Sequence, residues 1–319
     1  MKKETKSKDV VIQKYLMYYI NKIMKTAKRY YVELVRISKQ KGSNSVMSKL
    51  SRELYPLKGK KVFITGVSRR QGIGYAIARQ SAAWGASIIV HHYQPHDKEQ
   101  EWGADDLNKV LNGIEKELID DAFLYDVSGD FREQETPNKI MEAIVEKCGV
   151  VDALVCNHAL SGSDGAIGDL TAEMLDKHWA INTRSTILLA QSFAKQRENQ
   201  LNRGNIIFLT SGQRLGPMPG EVAYASAKGA LADITMTVSD QLSDKNISVN
   251  TVNPGPVDTG YLNQEMWNMV KPMFPFGRYG HPKDPARLVV WLLTKEASWI
   301  TGQIINTEGG FGRWRPPNQ

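Results

Sequence analysis

The stretch KVFITGVSRRQGIG, residues 61–74, decides the fold of this chain. A short apolar, β-branched run leads into a turn that contains glycines, and a helical pattern follows from Ile73. In such a turn Gly66 permits a tight bend, Gly72 lets the backbone approach a phosphate, and Gly74 lets the helix pack closely on the strand. Free N–H groups and the helix dipole then favour a phosphate group. The stretch therefore predicts a dinucleotide-binding βα turn.

From Lys60 onward, short β-rich runs alternate with longer helical segments. The predicted strands are 61–65, 87–92, 122–127, 152–157, 205–210, 248–254 and 303–310. The predicted helices are 73–84, 104–118, 137–148, 171–198, 222–243 and 284–294. Because the β-rich runs are nearly continuous apolar stretches, we expect both of their faces to be buried in a parallel sheet. The alternation predicts an α/β fold with one Rossmann-type, doubly wound parallel sheet flanked by helices.

Basic charge is concentrated at the start of the chain. Residues 1–46 hold 12 Lys and Arg against three acidic residues, whereas the net charge of the whole chain is +7. Apolar residues recur at helical spacing in 9–38, which predicts a basic amphipathic helical extension at 1–46 before a Rossmann domain at 47–319. Three interpretations of the extension stay open: a dispensable or mis-assigned start, a partner or oligomer contact, and contact with an anionic membrane surface.

The composition also limits the partners and the location. Since the excess basic charge belongs to the extension, we expect no nucleic-acid partner. Two cysteines cannot form a disulfide framework, so we expect a reducing, cytoplasmic location. The sequence contains no run of about 18 apolar residues, so it predicts no membrane-spanning helix. The opening MKKETKSKDVV lacks the apolar region of a signal peptide.

The motif YASAK, residues 224–228, carries the clearest chemical signal. Tyr224 and Lys228 are four residues apart on a predicted helix and therefore share one face. We expect the ammonium of Lys228 to lower the pKa of the phenol, so that Tyr224 can act as an acid or base near neutrality. Ser211, at a predicted strand end, is placed to donate a hydrogen bond to a carbonyl oxygen on which charge develops.

Together these motifs resemble the short-chain dehydrogenase/reductase family, specifically its 3-oxoacyl-carrier-protein reductase-like members. The resemblance covers residues 56–313 and includes TGVSRRQGIG, YDV, CNHA, IN at 181–182, LTS, YASAK and NPGPVDTG. It implies an NAD(P)H-dependent oxidoreductase that reduces a carbonyl group, of a 3-oxoacyl thioester or another ketone, to a secondary alcohol. It also implies a homotetramer or homodimer. Two alternatives stay open: an NAD-dependent alcohol, sugar or steroid dehydrogenase of the same family, and a non-catalytic dinucleotide-binding regulator.

The resemblance assigns four catalytic residues. Tyr224 donates a proton to the substrate oxygen, and Ser211 orients and polarises the carbonyl. Lys228 lowers the pKa of the tyrosine and holds the nicotinamide ribose, while Asn182 positions a water in a proton relay. An intact set of four argues against the regulator, because a sensor has no need of all of them.

The glycine loop and the resemblance together predict the cofactor-binding residues. Asp126 is expected to contact adenine, and Thr259 the nicotinamide carboxamide. The full set is Gly66, Ser68, Arg69, Arg70, Gly72, Ile73, Gly74, His92, Asp126, Val127, Asn157, Tyr224, Lys228, Pro254, Gly255, Val257 and Thr259.

The end of the second strand predicts the choice of cofactor. An NAD-preferring site has an acidic residue there that binds the ribose 2′-hydroxyl. His92 holds this position, and Arg69 and Arg70 in the glycine loop can grip a phosphate bidentately. Asp97 lies beyond a proline and is expected to point elsewhere. The pattern predicts NADP(H) over NAD(H).

Two departures from the family pattern concern the loop and a histidine. Five residues separate Gly66 from Gly72, where the common form has three, so the phosphate contacts of this loop need not follow the family. The motif CNHA places His158 at a strand end, where we expect a hydrogen-bonded structural histidine. His91, His92 and His96 lack a further ligand at metal-site spacing, so no metal is predicted.

Overall fold

A seven-stranded parallel sheet forms the centre of the chain in the computed structural model. The structure describes residues 17, 24, 28, 52–100, 103–260 and 262–312. The strands are β1 Lys61–Ile64, β2 Ser87–His92, β3 Leu124–Ser128, β4 Ala153–Cys156, β5 Gly204–Leu209, β6 Ile247–Asn253 and β7 Ile304–Asn306. Their spatial order is β3-β2-β1-β4-β5-β6-β7, so the winding reverses between β1 and β4. This doubly wound order confirms the predicted fold class.

Helices connect the strands. They are α1 Ile73–Ala83, α2 Gln94–Glu99, α3 Leu107–Glu115, α4 Thr136–Cys148, α5 Ala172–His178, α6 Ser185–Gln196, α7 Val222–Ser243, α8 Gln264–Val270 and α9 Lys283–Leu292. A π-helical turn, Trp179–Arg184, joins α5 to α6. The helix predicted at 171–198 is therefore present as two α-helices with a wider turn between them. No helix was predicted between residues 92 and 104, but α2 lies there. Pro95 lies in its first turn, where a proline needs no N–H and already has the helical φ.

Two apolar cores cover the two faces of the sheet. Successive strand residues alternate between them: Val62 and Ile64 pack in the core that contains α1 and α9, and Phe63 packs in the core that contains α4 and α6. Each of these three side chains is fully buried. Full burial of such a side chain contributes about 1.5–3 kcal/mol. Burial on both faces explains why the strands read as continuous apolar runs.

The second compact unit of the chain comprises Leu54–Gln319 and contains the whole sheet. The extension predicted at 1–46 lies outside the described residues, apart from three isolated positions, so the boundary at 46/47 stays a prediction. Within the part of the chain that the structure describes, no helix has the length and apolar character needed to cross a membrane.

Candidate active site

The carboxyl ends of the central strands bring the predicted site residues to one edge of the sheet. The glycine loop follows β1, Asn157 follows β4, Ser211 lies two residues past the end of β5, and Pro254 directly follows β6. The gap between β1 and β4 is the point at which the winding reverses. Open α/β sheets bind their ligands at such a point, outside the carboxyl ends of the strands.

The glycine loop has the geometry that its sequence predicts. Gly66 has a φ of 71°, and a Cβ there would lie 2.7 Å from the Cα of His158. A Cβ on Gly74 would lie 2.6 Å from Nδ2 of Asn157 and 2.7 Å from the carbonyl oxygen of Gly66. No side chain caps the start of α1 at Gly72, and no acidic residue lies in its first turn. The positive end of this helix can therefore receive an anion.

The side chain of Asn157 fixes the glycine loop. Its Nδ2 donates to the carbonyl oxygens of Thr65 and Gly66, at 3.0 and 3.1 Å, and its backbone N–H donates to Oγ1 of Thr65 at 3.0 Å. Because the carboxamide N–H groups are used in this way, Asn157 contributes to a cofactor site by holding the loop in shape.

His158 is a hydrogen-bonded structural histidine, as predicted. Its Nδ1 lies 2.6 Å from Oγ1 of Thr65, and its Nε2 lies 3.0 Å from the carbonyl oxygen of Ile181 and 2.8 Å from Oγ of Ser185. The carbonyl can only accept, so Nε2 carries the proton. Burial lowers the pKa of His158 well below its usual value, and the ring stays neutral. It ties the strand before the glycine loop to the π-helical turn.

A second buried histidine supports the same loop. Nε2 of His91 lies 2.8 Å from the carbonyl oxygen of Gly129, and Nδ1 accepts from the backbone N–H of Gly66 at 3.4 Å. The ring stacks on Phe131 with centroids 4.2 Å apart, and Phe131 in turn lies 4.4 Å from the ring of His158. Burial lowers the pKa of His91 to about 4.

Among the described residues, no group of three or more ligating side chains could hold a metal ion.

The two arginines of the glycine loop already have partners within the chain. Nη2 of Arg69 donates to the carbonyl oxygen of Thr259 at 2.7 Å and so joins the loop to the segment after β6. Arg70 binds Asp105 through Nε and Nη2, at 2.9 and 2.8 Å, and this hydrogen bonding lowers the pKa of Asp105 to about 2. The expectation that Asp97 points away from the ribose stays a prediction. Asp97 is buried, and its charge acts on Arg69, whose pKa is lowered by burial and partly restored by Asp97.

His92, at the end of β2, contacts Asp126 at the end of β3. Nε2 of His92 lies 3.1 Å from Oδ2 of Asp126, and the side chain of Asp126 is 43% exposed to solvent. Beside this pair a cavity of about 420 Å³ opens between β3 and α4, with Asp126 and Val127 in its lining. Asp126, which is expected to contact adenine, and its neighbour Val127 thus line an open cavity at the end of β3.

The segment after β6 brings four further predicted residues to the cleft. Gly255 has a φ of 66° and passes so close to Glu308 that a Cβ would overlap the glutamate side chain. Val257 is buried and forms an isolated parallel bridge with Gly280. Pro254 and Thr259 flank these residues and are half-buried. In the glycine loop, Ser68 and Ile73 are also half-buried.

Tyr224 and Lys228 meet Ser211 at the carboxyl edge of β5. The side chain of Ser211 lies near that of Tyr224 and acts to lower the pKa of its phenol, while Oγ of Ser211 donates to Sδ of Met218 at 3.9 Å. Nζ of Lys228 lies 5.8 Å from the centroid of the Tyr224 ring and donates to the carbonyl oxygen of Leu209 at 2.9 Å. Lys228 is only 2% exposed, and burial lowers its pKa to about 8.

The expectation of a lowered tyrosine pKa was wrong for the chain by itself. Burial raises the pKa of Tyr224 to about 12, the charge of Glu221 adds to the rise, and the side chain of Ser211 opposes it. The ammonium of Lys228 donates to the carbonyl oxygen of Leu209. Desolvation is therefore the dominant cause of the raised pKa.

Asn182 lies in the π-helical turn, fully buried. Its Oδ1 accepts from the backbone N–H of Leu160 at 2.7 Å, and its Nδ2 donates to the carbonyl oxygen of Leu160 at 3.1 Å. Nδ2 also donates to Nδ1 of His178 at 3.2 Å, and the ring of His178 meets that of Tyr224 edge-on at 6.0 Å. The structure thus joins all four predicted catalytic residues in one cluster.

Comparison with known proteins places this site in a family. The model of the family described as enoyl-(acyl carrier protein) reductase matches residues 66–312, most of the chain. The chain belongs to the short-chain dehydrogenase/reductase family. YjdA of Bacillus subtilis (strain 168), described as an uncharacterised oxidoreductase, is 41% identical over 252 residues, which cover 78% of this chain and 96% of YjdA. The resemblance stated from the motifs is confirmed.

Solved structures of short-chain dehydrogenases/reductases share the fold. An enzyme of this family from Serratia marcescens superposes with a TM-score of 0.69 at 28% identity, over 80% of this chain and 99% of that one. The promiscuous reductase LugOII, described as catalysing keto-reduction at C1 during lugdunomycin biosynthesis, also gives a TM-score of 0.69, at 30% identity, over 80% and 98% of the two chains.

Two buried side chains of this short-chain dehydrogenase/reductase were missed by sequence reasoning. His178 precedes Asn182 by four residues, so helical spacing could have placed both on one face. Asp164 lies in a loop rich in Ser and Gly, where no periodic pattern assigns it a partner. Its Oδ2 accepts from the backbone N–H of Tyr224 at 2.7 Å.

Acid is expected to destabilise this short-chain dehydrogenase/reductase through its buried histidines. The unfolded chain protonates His91 near pH 6.5, whereas the folded chain resists protonation down to a pKa of about 4. The contribution of His91 to the free energy of unfolding is therefore fully present above pH 6.5 and is lost as the pH falls toward 4. At about 1.4 kcal/mol for each pH unit, His91 alone accounts for about 3 kcal/mol.

Urea unfolding at about pH 7 and about pH 5 measures this loss. His91→Gln, which cannot titrate, should show a smaller loss between the two pH values than wild type. His281→Gln removes an exposed histidine and serves as the matched control. An equal loss in wild type and His91→Gln would contradict the assignment.

Proposed function

We propose that this chain is an NAD(P)H-dependent oxidoreductase that reduces the carbonyl group of a ketone, such as a 3-oxoacyl thioester, to a secondary alcohol. One observation carries the proposal: the buried ammonium of Lys228 lies 5.8 Å from the centroid of the Tyr224 ring, with Ser211 beside the phenol, at the edge of the sheet where the glycine loop lies. The keto-reduction that the description of LugOII gives for that protein supports the same chemistry.

The residues at the sheet edge fit a dinucleotide. Gly66 and Gly74 allow the glycine loop and the start of α1 to pack closely against Asn157 and His158, and the start of α1 has no capping side chain that would compete with a phosphate. The glycine loop would hold the pyrophosphate, Asp126 and Val127 would contact adenine, and the segment from Pro254 to Thr259 would lie against the nicotinamide. When bound, the nicotinamide cofactor supplies the hydride.

The chain's own residues then handle the substrate oxygen. Because the pKa of Tyr224 is raised to about 12, its phenol is protonated at neutral pH, which is the form a reductase needs to donate a proton. The hydroxyl of Ser211 donates a hydrogen bond to the same oxygen as charge develops on it. With a pKa of about 8, Lys228 remains mostly charged at pH 7 and is placed to hold the nicotinamide ribose. Asn182 positions a water that returns a proton to Tyr224.

The function is tested by following oxidation of NADPH against acetoacetyl thioesters, diketones, quinones and sugar ketones. Turnover of at least one class is expected in wild type and is expected to be lost in Tyr224→Phe. Cofactor binding without turnover on the whole panel would favour the non-catalytic regulator. Faster oxidation of alcohols with NAD than reduction of any ketone would favour a dehydrogenase.

We propose NADPH as the preferred cofactor. His92 replaces the acidic residue of an NAD site. The guanidinium groups of Arg69 and Arg70, which bind the carbonyl of Thr259 and the carboxylate of Asp105 in the chain by itself, would bind the 2′-phosphate when NADPH is present. Replacing both arginines by Ala is expected to raise the KM for NADPH about tenfold or more, while the KM for NADH changes less than about twofold, because only NADPH carries the phosphate. Steady-state kinetics with both cofactors measures the difference.

Arg287→Ala, which removes an exposed arginine on α9, is the matched control for that double variant. It should leave both KM values unchanged. A wild type that uses NADH as efficiently as NADPH would overturn the preference. So would a double variant in which the two KM values rise together.

We also propose a cytoplasmic homo-oligomer, a tetramer or a dimer. Large apolar side chains are exposed on neighbouring helical turns: Leu175, Trp179 and Ile187 keep 41%, 49% and 37% of their surface. Clusters of exposed apolar residues are typical of protein–protein contacts. Light scattering of the full chain distinguishes a monomer from either oligomer.

A further inference from the structure

The loop between β4 and α5 is hydrogen-bonded at Leu160 and at Gly162. The partners are side chains of α5 and of the π-helical turn. The side chain of Asn182 binds both the N–H and the carbonyl oxygen of Leu160. Nε2 of His178 lies 3.0 Å from the carbonyl oxygen of Gly162. The loop is thereby fixed against α5 and the π-helical turn at two of the residues that precede Ser163.

Asp164, the next alternate residue, reaches the start of α7. Its Oδ1 accepts from the backbone N–H groups of Gly165 and Ala223, at 2.7 and 2.9 Å, and its Oδ2 accepts from that of Tyr224 at 2.7 Å. The N-terminal capping position of α7 is Glu221, whose side chain makes no capping hydrogen bond. Asp164 therefore supplies from a distant loop the acceptor that this helix lacks.

The backbone before Asp164 is bent to aim the carboxylate at α7. Gly162 and Ser163 both have positive φ values, 77° and 50°. A serine in the left-handed region is uncommon and persists where the surrounding contacts impose it. Here the contact of His178 with Gly162 on one side and the bonds of Asp164 on the other provide that restraint.

His178 connects the two halves of this arrangement. It is fully buried, accepts from Asn182 at Nδ1, and donates from Nε2 to the carbonyl of Gly162. Its Nε2 also lies 4.0 Å from Oδ2 of Asp164. One imidazole thus contacts Asn182, the loop at Gly162, and the carboxylate that binds the backbone N–H of Tyr224.

We propose that Asp164 is a positioning residue for Tyr224: it fixes the first turn of α7 so that the phenol is held where the proton must be transferred. The inference rests on the proposed function of Tyr224. The side chain of Asp164 is 5% exposed. Burial opposes its charge, but hydrogen bonds from the N–H groups of Tyr224, Ala223 and Gly165 lower its pKa, so the carboxylate stays ionised.

Asp164→Asn keeps the size of the side chain but turns an N–H group toward one of the two helix amides. The expected result is a kcat lowered about tenfold to 100-fold, because a misplacement of about 1 Å has such an effect on a reacting group. The cofactor KM should change less than about twofold. Asp106→Asn is the matched control: Asp106 accepts from the N–H groups of Asn108 and Lys109 at the start of α3, away from the cluster. Its kcat should equal that of wild type.

A second comparison separates positioning from a general loss of stability. In a Tyr224→Phe background, Asp164→Asn should change the residual rate less than about twofold, since residues that act as a unit are not additive. Hydrogen exchange should meanwhile show faster exchange of the first-turn amides of α7 in Asp164→Asn than in wild type. If Asp164→Asn does not fold, Asp164→Ser, which keeps one capping acceptor, takes its place with a smaller expected loss.

A folded Asp164 variant with a kcat within about twofold of wild type would overturn the inference. An equal fold-loss in the wild-type background and in the Tyr224→Phe background would do the same. These outcomes leave the proposed function intact as long as Tyr224→Phe itself loses turnover. Full activity in Tyr224→Phe would instead overturn the role of Tyr224, and with it this inference.

Discussion

Tyr224→Phe is expected to lower kcat by about 10²–10⁴-fold, the contribution typical of a general acid. The change removes the only proton that Tyr224 can transfer and keeps the ring, which packs edge-on against His178. Affinity for the cofactor should change less than about twofold. The bond of Asp164 to the backbone N–H of residue 224 is unaffected, so the start of α7 should keep its place.

Single-turnover kinetics with saturating NADPH isolates the step in which this proton moves. Tyr55→Phe, which removes a hydroxyl far along the chain from the catalytic motif, is the matched control and should behave as wild type. A Tyr224→Phe variant that kept more than about half of the wild-type kcat would show that another group supplies the proton. Ser211, which lies beside the phenol of Tyr224, would then be the next residue to replace.

The strands and the glycine loop could be predicted because local sequence determines them. SIIVHH forms β2 over the predicted range, residues 87–92. A strand that is buried on both faces is apolar along most of its length, so its ends can be recognised in the sequence. Gly66 and Gly74 are required by steric contacts within a few residues of the β1–α1 turn and by one neighbouring strand. The motif YASAK gave the correct helix because its spacing of four residues is itself a property of the helix.

Features that depend on distant contacts could not be predicted. The bond of Asp164 to Tyr224 joins residues 60 positions apart, and no periodic pattern marks either end of it. The raised pKa of Tyr224 reflects burial by the folded chain, which the neighbouring lysine in the sequence does not reveal. Helix α2 was not predicted because a proline is not typical of a helix interior, although Pro95 fits the first turn of this helix.

Lys228→Met is expected to lower kcat by about 100-fold or more and to weaken cofactor binding as well. The variant keeps most of the side-chain volume. It removes the charge that, in the proposed mechanism, stabilises the developing phenolate, and it removes the proposed donor to the nicotinamide ribose. Tyr224→Phe affects only kcat, so the two variants differ in their cofactor KM. Over the pH range around 8, the rate of wild type should also fall as Lys228, with its pKa lowered to about 8, loses its proton.

Stability should respond to Lys228→Met in the opposite direction from activity. Burial lowers the pKa of Lys228 from 10.5 to about 8, which corresponds to a destabilisation of about 3 kcal/mol at neutral pH, where the side chain is charged. Loss of the bond to the carbonyl of Leu209 offsets about 1–2 kcal/mol of this. The variant should therefore unfold at a urea concentration equal to or above that of wild type at pH 7. A sharp loss of stability together with retained turnover would show that Lys228 is a structural residue. A variant that is stable but inactive would show that the buried charge serves the reaction and lowers the stability of the fold.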